Sequence, residues 1–339
     1  MIRGLYFAHL HPRLQSISLI LLLFFTPLDG SDYFTFSEKC MGTDFKIIID
    51  DTNESTCQKV AKKAFEEAHR LNNIFSDYLA DSEASVLSAS SFNDQDDEYL
   101  EISAELLKVL KFSRELSKDT SGDFDITIGP ASRLWRIARF RESLPGPDKI
   151  KNALTRIGFN KILFHPSENK VRLDHKGMLL DFGGIAKGFA GDQMLTLLKD
   201  SGLNRCLIDA GGDLIIGQAP KGKPGWRVKI GGEKHPELPS LSLSNCAVAT
   251  SGDTEQFAII RGKAYSHIIN PHTGIGLNTR AQVTVIAKNG MIADSLASAA
   301  LVSGLKSSEK IFEKYNIKAA FFISQEDGVK KLSKYTELQ

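Results

Sequence analysis

Phe45-Lys46-Ile47-Ile48-Ile49 is a compact apolar run rich in β-branched residues, and soon after it Val60, Ala64, Ala68, Leu71 and Phe75 recur at three- and four-residue intervals. The first pattern predicts a strand and the second a long amphipathic helix. Ser103 ahead of Leu106, Leu107 and Leu110 predicts a second helix with its own cap. Between these helices, Ser76 to Ser91 reads as loop and the acidic residues from Asn93 to Glu98 as solvated surface. Phe124 to Gly129 leads into an apolar segment around Trp135, which Pro145-Gly146-Pro147 breaks off. Val171-Arg172-Leu173 and Met178-Leu179-Leu180 read as short strands, followed by a helical stripe of Ala186, Ala190, Met194 and Leu197 that stops at Gly202. Strands and turns dominate from Ile162 to Val285, an alanine-rich helix begins near Ile292, and Ala319 to Ile323 reads as a closing buried strand. No fixed-period repeat or low-complexity linker interrupts the series. Helices mixed with hairpin-spaced strands predict an α+β fold rather than regular βαβ winding.

The N-terminus bears on where the chain works. Arg3 and Arg13 flank the approach to an apolar run from Ile17 to Phe25, followed by Thr26-Pro27-Leu28-Asp29-Gly30. That run is too short for a comfortable span and has the layout of a secretory signal, with cleavage near Gly30 or Ser31. The expectation is a signal peptide at residues 1–30 and an exported, periplasmic unit at 31–339, built as one domain or as two intimately packed subdomains. The first cysteine is Cys40, so no lipobox-like pattern follows the signal. Without residues 1–30 the basic and acidic side chains balance, which argues against nucleic acid as a partner. A hydrophobic share of 42% over 339 residues allows a substantial core and excludes a disordered chain. Cys40, Cys57, Cys206 and Cys246 lack the spacing of a zinc or CxxC site, and although an oxidising compartment permits disulfides, pairing is not legible.

Chemistry concentrates at a few corners. From Leu180 to Asp192 a carboxylate (Asp181), a glycine pair (Gly183, Gly184) and Lys187 lie where a strand turns into a helix. Unpartnered amides at a helix start favour an anion, so a phosphate-bearing ligand suits the place; a tight helix-to-sheet turn is the alternative. Asp294 and Ser298 stand four residues apart and share a helix face that offers hard oxygen ligands for Mg²⁺, though an aspartate early in a helix also serves the dipole. His267 ends a strand before the turn of Pro271 and Gly274, where an imidazole can relay a proton or simply support the scaffold. Ala249-Thr250-Ser251-Gly252-Asp253 offers hydroxyls without the G-x-S-x-G elbow of a serine nucleophile. Asp123 and Asp125 around Phe124 can accept ligand hydrogen bonds or cap turns. Asp209-Ala210-Gly211-Gly212-Asp213 makes a second glycine turn, and Tyr78 can stack on a planar ring.

Taken in order, these segments resemble the ApbE family, the FAD:protein FMN transferases. The resemblance runs through Met41-Gly42-Thr43, Phe75 to Tyr78 with Ser82-Glu83, Phe124 to Pro130 with Leu134-Trp135, and Leu180 to Asp192. It continues through Asp209 to Asp213, Ala249 to Gly252, His267 to Gly274 and Ala293 to Ser298, nearly all of the chain after the signal. It implies an ApbE-like α+β fold of mixed, largely antiparallel sheets flanked by helices. It also implies that FAD is a substrate and that Mg²⁺ assists transfer of FMN to a threonine or serine hydroxyl of a partner protein, with release of AMP. The implied FAD site comprises Met41, Tyr78, Asp123, Phe124, Asp125, Asp181, Lys187 and Ile268. The implied metal site comprises Gly184, Asp294, Ala297 and Ser298, with His267 and Asp294 as catalytic residues. Ser298 departs from the family's usual threonine, keeping the oxygen and losing the methyl that limits its rotamers. The implied partners are exported or inner-membrane redox proteins carrying a Ser/Thr-Gly-Ala-Thr/Ser segment, which this chain itself lacks. A Mg²⁺-dependent FAD pyrophosphatase and a non-catalytic FAD-binding protein are the competing expectations.

Overall fold

The computed structural model describes residues 33–92, 98–232, 235–252, 257–326 and 329–336. The expected signal peptide and most of the acidic stretch after Phe92 lie outside the described residues. Eight strands form the main sheet: β1 (Tyr33–Cys40), β2 (Thr43–Asp50), β3 (Cys206–Ala210), β4 (Asp213–Ile216), β5 (Cys246–Gly252), β6 (Gln282–Ala287), β7 (Ala319–Glu326) and β8 (Val329–Thr336). They lie side by side in chain order, and every neighbouring pair is antiparallel. The α+β expectation therefore holds.

The period-two alternation of strands sends Phe45, Ile47, Ile49, Ile208, Ile215, Val283 and Val285 to one face. There they pack under three helices: α1 (Glu54–Phe75), α6 (Ala186–Asp200) and α7 (Gly290–Ser303). Ile48, Leu207, Ile216, Val248 and Ile286 go to the other face, where Trp226 and Val228 of a small hairpin cover them. Burial on both faces explains why β7 opens as a continuous apolar run rather than an alternating one.

The segment between β2 and β3 carries α1, α2 (Glu83–Ser90), α3 (Ala104–Asp119), α4 (Gly129–Arg141), α5 (Pro147–Leu154) and α6, and α8 (Leu305–Lys314) follows α7. The two ends of this segment are clasped together. Asp50 N–H donates to the Arg205 carbonyl at 2.9 Å, and Arg205 Nε donates to Asp50 Oδ2 at 3.2 Å. A third core lies outside the sheet, where Trp135 and Ala138 of α4 pack on Ile260 and Ile269.

Several expectations change. The stretch after Phe75 contains α2, whose cap Ser82 accepts from Ser85 N–H at 3.1 Å; its serine-rich pattern hides the helical period. Met178 to Leu180 is not a strand and belongs to no ladder. Ser91 Oγ donates to the Met178 carbonyl at 3.0 Å and Leu180 N–H donates to Ser88 Oγ at 3.0 Å, so hydroxyls take the place of a partner strand. On α6 the buried residue is Leu198, with Leu197 only partly covered. The segment around Trp135 is a full helix, and β7 is not the last strand because β8 pairs along its outer edge. All four cysteines are buried and free.

Candidate active site

The corner after Leu180 is shaped by two backbones in contact. A Cβ at Gly188 would stand 2.2 Å from the Gly290 carbonyl oxygen, and one at Gly290 would stand 2.4 Å from the Gly188 oxygen. Only hydrogen side chains allow α6 and α7 to cross this closely. The crossing brings Asp294, one turn into α7, beneath the first turn of α6, where its Oδ2 accepts the Gly188 N–H at 3.2 Å. In return Asp192 of α6 reaches the start of α7, accepting from Gly290 N–H at 2.6 Å and Met291 N–H at 2.9 Å.

Lys187 Nζ donates to Asp213 Oδ2 at 2.7 Å and lies 3.6 Å from Asp294 Oδ2. Burial alone would lower the ammonium's pKa, but Asp213 and then Asp294 hold it above its usual value. Burial pushes the Asp294 carboxyl up to about 7, with Lys187 pulling down and Asp213 pushing further up. Asp294 is thus a carboxylate that gains from any added positive charge. Ser298 Oγ is 3.1 Å from Ser251 Oγ, and a Cβ at Gly184 would stand only 2.8 Å from that Ser298 oxygen. The Gly184 backbone, Asp294 and Ser298 therefore share one pocket edge, with Ala297 fully buried behind them.

Asp181 links this corner to Tyr78. Its Oδ1 accepts the Gly183 N–H at 2.9 Å, while Arg136 of α4 lies 3.6 Å from its other oxygen and also bonds Asp77. The Arg136 guanidinium stacks on the Tyr78 ring at 4.2 Å from its centroid, leaving Tyr78 78% exposed. Phe124 is buried with its ring edge 3.6 Å from a Gly184 Cβ position. Beside it, Asp123 Oδ1 is 2.9 Å from His272 Nε2, which ties the His267 to Gly274 segment to this end of the site.

His267 is exposed and sits in the bend between the strands Lys263–Ser266 and Ile269–Asn270. Ile268 N–H donates to Ser266 Oγ at 2.9 Å. Met41 adopts φ of +50° in the β1–β2 turn, where neighbouring Thr43 packs against Gly211 in the turn that carries Asp213. Asp125 stands apart: its Oδ1 accepts from Thr127 N–H at 2.8 Å and its Oδ2 from Phe159 N–H at 3.0 Å. Both of its oxygens already serve the chain.

Three residues enter the site that the motifs did not single out for it. The sequence marks Asp213 only as the end of a glycine turn and Ser251 as a hydroxyl without an elbow, and no motif marks Arg136, one arginine among four on α4. Among the described residues no three His, Cys, Asp or Glu side chains gather as a metal cluster. A single carboxylate with a hydroxyl and a carbonyl is instead the donor set of a Mg²⁺ ion that keeps waters and substrate phosphate in its remaining positions. The residues present fit that ion.

Fold and site define an antiparallel α+β protein with a glycine corner where a helix starts over a buried carboxylate and a part-buried lysine. The chain belongs to the ApbE family, whose profile matches residues 41–322. An FAD:protein FMN transferase of Haemophilus influenzae is 30% identical over 305 residues, covering 86% of this chain and 87% of that protein. One of Treponema pallidum is 31% identical over 243 residues, covering 66% of this chain and 67% of that protein. Among solved structures, a histidine-to-glycine mutant of the flavin transferase ApbE from Vibrio cholerae superposes with a TM-score of 0.79 at 25% identity, covering 91% of this chain and 98% of that one. The ApbE protein of Thermotoga maritima gives 0.77 at 26% identity, covering 90% and 97%.

Proposed function

We propose that this chain is an FAD:protein FMN transferase that moves FMN from FAD to a threonine or serine hydroxyl of an exported redox protein and releases AMP. The observation that carries the proposal is the convergence of Gly184, Lys187, Asp294 and Ser298 at the start of α6, supported by the names of the relatives. The acceptor hydroxyl oxygen forms a new bond to the FMN phosphorus, the bond from that phosphorus to the bridging oxygen breaks, and AMP departs with that oxygen. The hydroxyl proton goes to His267, which sits exposed in the bend after Ser266.

Gly184, Asp294 and Ser298, backed by Ala297, would hold Mg²⁺, which when bound neutralises charge on the pyrophosphate. Lys187, fixed by Asp213, adds a second positive charge beside the phosphates and keeps it in place through turnover. Asp181 and Arg136 orient the approach, while Tyr78 presents a ring face to the isoalloxazine. Met41, Phe124 and Ile268 complete the walls, and Asp123 holds the His272 turn against them. Asp125 acts one step back by fixing the Thr127 and Phe159 backbone. We further propose that the protein works in the periplasm, as the basic and apolar N-terminal pattern suggests, close to the inner membrane where such acceptors reside.

The test is the intact mass of an acceptor domain bearing a Ser/Thr-Gly-Ala-Thr/Ser segment after incubation with residues 31–339, FAD and Mg²⁺. A gain of one FMN that EDTA abolishes supports the transferase. An unmodified acceptor with FMN and AMP set free would replace it by the pyrophosphatase, which the exposure of Tyr78 leaves open to water.

A further inference from the structure

The outward face of α4 carries Arg133, Ile137, Phe140 and Arg141 at positions i, i+4, i+7 and i+8, opposite the buried Trp135 and Ala138. Phe140 is 82% exposed and Ile137 45%. Scattered exposed apolar residues are ordinary, so the arrangement carries the weight rather than the exposure. Arg136 is committed to Asp77 and Asp181. Arg133, Arg139 and Arg141 form no ion pair among the described residues, and the only acid adjoining them in the chain is exposed Glu142. An apolar pair set among uncommitted guanidinium groups is the composition of an interface centre, where arginine and aromatic residues are enriched.

Its position matters as much as its composition. Arg136 belongs both to this helix and to the site, stacking on Tyr78 and reaching Asp181. Tyr78 also feels the charge of Arg139. The face is therefore continuous with the flavin side of the corner.

We propose that this face of α4 docks the acceptor protein through an acidic surface with an apolar contact beside the hydroxyl to be modified, an inference that rests on the transferase reading. A small substrate needs no such platform. A protein hydroxyl delivered into the corner brings the rest of its domain onto the rim, and at this rim α4 offers uncompensated positive charge. Guanidinium groups pair carboxylates in a fixed geometry, which sets orientation as well as attraction. Charge of this kind acts mainly on encounter and register, and it weakens with salt.

The experiment compares the parent protein with the Arg133→Glu/Arg141→Glu pair and with Phe140→Ala. The probes are a soluble redox-protein domain bearing the acceptor segment and a short peptide of that segment alone. The KM for the domain is expected to rise about tenfold in the arginine pair and about fivefold in Phe140→Ala, with kcat, FAD affinity and the peptide KM unchanged. The parent's KM for the domain should climb between about 50 and about 300 mM salt, and the arginine pair should be nearly flat over that range. An unchanged domain KM overturns the inference, as does an equal loss with the peptide, which would place the effect inside the site. Binding to phosphatidylglycerol vesicles that the arginine pair loses, with the domain KM intact, would make this a membrane face instead. If the parent binds FAD yet never modifies the domain, the transferase reading fails and the docking inference falls with it.

Discussion

The starts of α6 and α7 touch backbone to backbone, yet one leaves amides open and the other does not. At α7, Asn289 accepts the Ile292 N–H at 3.0 Å and Asp192 takes the Gly290 and Met291 N–H groups, so the helix start is closed by side chains. At α6 the cap position is Ile185, which has no side chain able to accept, and two glycines precede it. The Phe182 carbonyl accepts the Ile185 and Ala186 N–H groups at 3.0 and 2.9 Å and Asp294 accepts that of Gly188, so among the described residues the Gly184 and Lys187 N–H groups are the ones left open. A closed start satisfies its donors and stabilises the fold; an open one keeps partial positive charge for a ligand. Two aspartates thus divide their roles by position: the part-buried Asp192 is consumed as a cap, whereas the buried Asp294 retains oxygen capacity beside Lys187 and Ser298.

Removing each aspartate is the sharpest way to break that contrast. Asp294→Ala should cut FMN transfer roughly a thousandfold, with the far-ultraviolet circular dichroism unchanged; wild-type turnover would show that the open start does not hold the reacting phosphates. Gly188→Ala strikes both helices at once. Its methyl has nowhere to go against the Gly290 carbonyl, and urea unfolding should register a loss of about 3 kcal/mol together with lost transfer. Asp192→Ala should lower stability by about 2 kcal/mol while FAD affinity of the folded protein stays level, a result opposite in kind to that of Asp294. A drop in affinity without a drop in stability would erase the division of roles.

The smallest effect is one of pH. Burial pushes the Asp192 carboxyl up to about 6, although the Met291 and Gly290 amides pull it down. In the unfolded chain the same group releases its proton near 4, so between about pH 4 and 6 the folded state binds more protons. Its contribution is fully present below that window and is lost as pH rises through it. Relative to Asp192→Asn, the parent should therefore lose stability on the order of 1 kcal/mol per pH unit across that range and run parallel above it, as read from denaturant midpoints. Parallel curves throughout would mean the carboxyl is not held out of water.

Residues whose role follows from the local chain were legible. Ser103 caps α3 as its spacing predicts, accepting Leu106 N–H at 3.1 Å, and the four-residue step from Asp294 to Ser298 does lie on one face of α7. The glycines of the corner announced a helix start, although their closest service, the crossing of Gly188 and Gly290, needed both helices in view. Other elements were hidden by their partners. Among its described residues β8 is polar and largely exposed, and β1 alternates weakly, so neither has the apolar pattern that marked β2; each exists because an adjacent strand offers a ladder. Asp213 and Arg136 acquire meaning only from Lys187, Tyr78 and Asp181, which come from distant parts of the chain. No local pattern encodes such a pairing.

The clasp between Asp50 and Arg205 bears on how this architecture can diversify. It pins both ends of the long segment that carries Tyr78, Arg136 and the α6 corner, so the sheet experiences that segment as a single closed loop. The entropy of closing a loop grows only with the logarithm of its length, about 0.6 kcal/mol for each doubling. Insertions and deletions in the connections between α2 and α5, away from the α1 and α6 helices that cover the sheet, therefore cost the sheet little as long as the hem at Asp50 and Arg205 is kept. The α4 rim is free to be retailored while the eight strands beneath it stay the same.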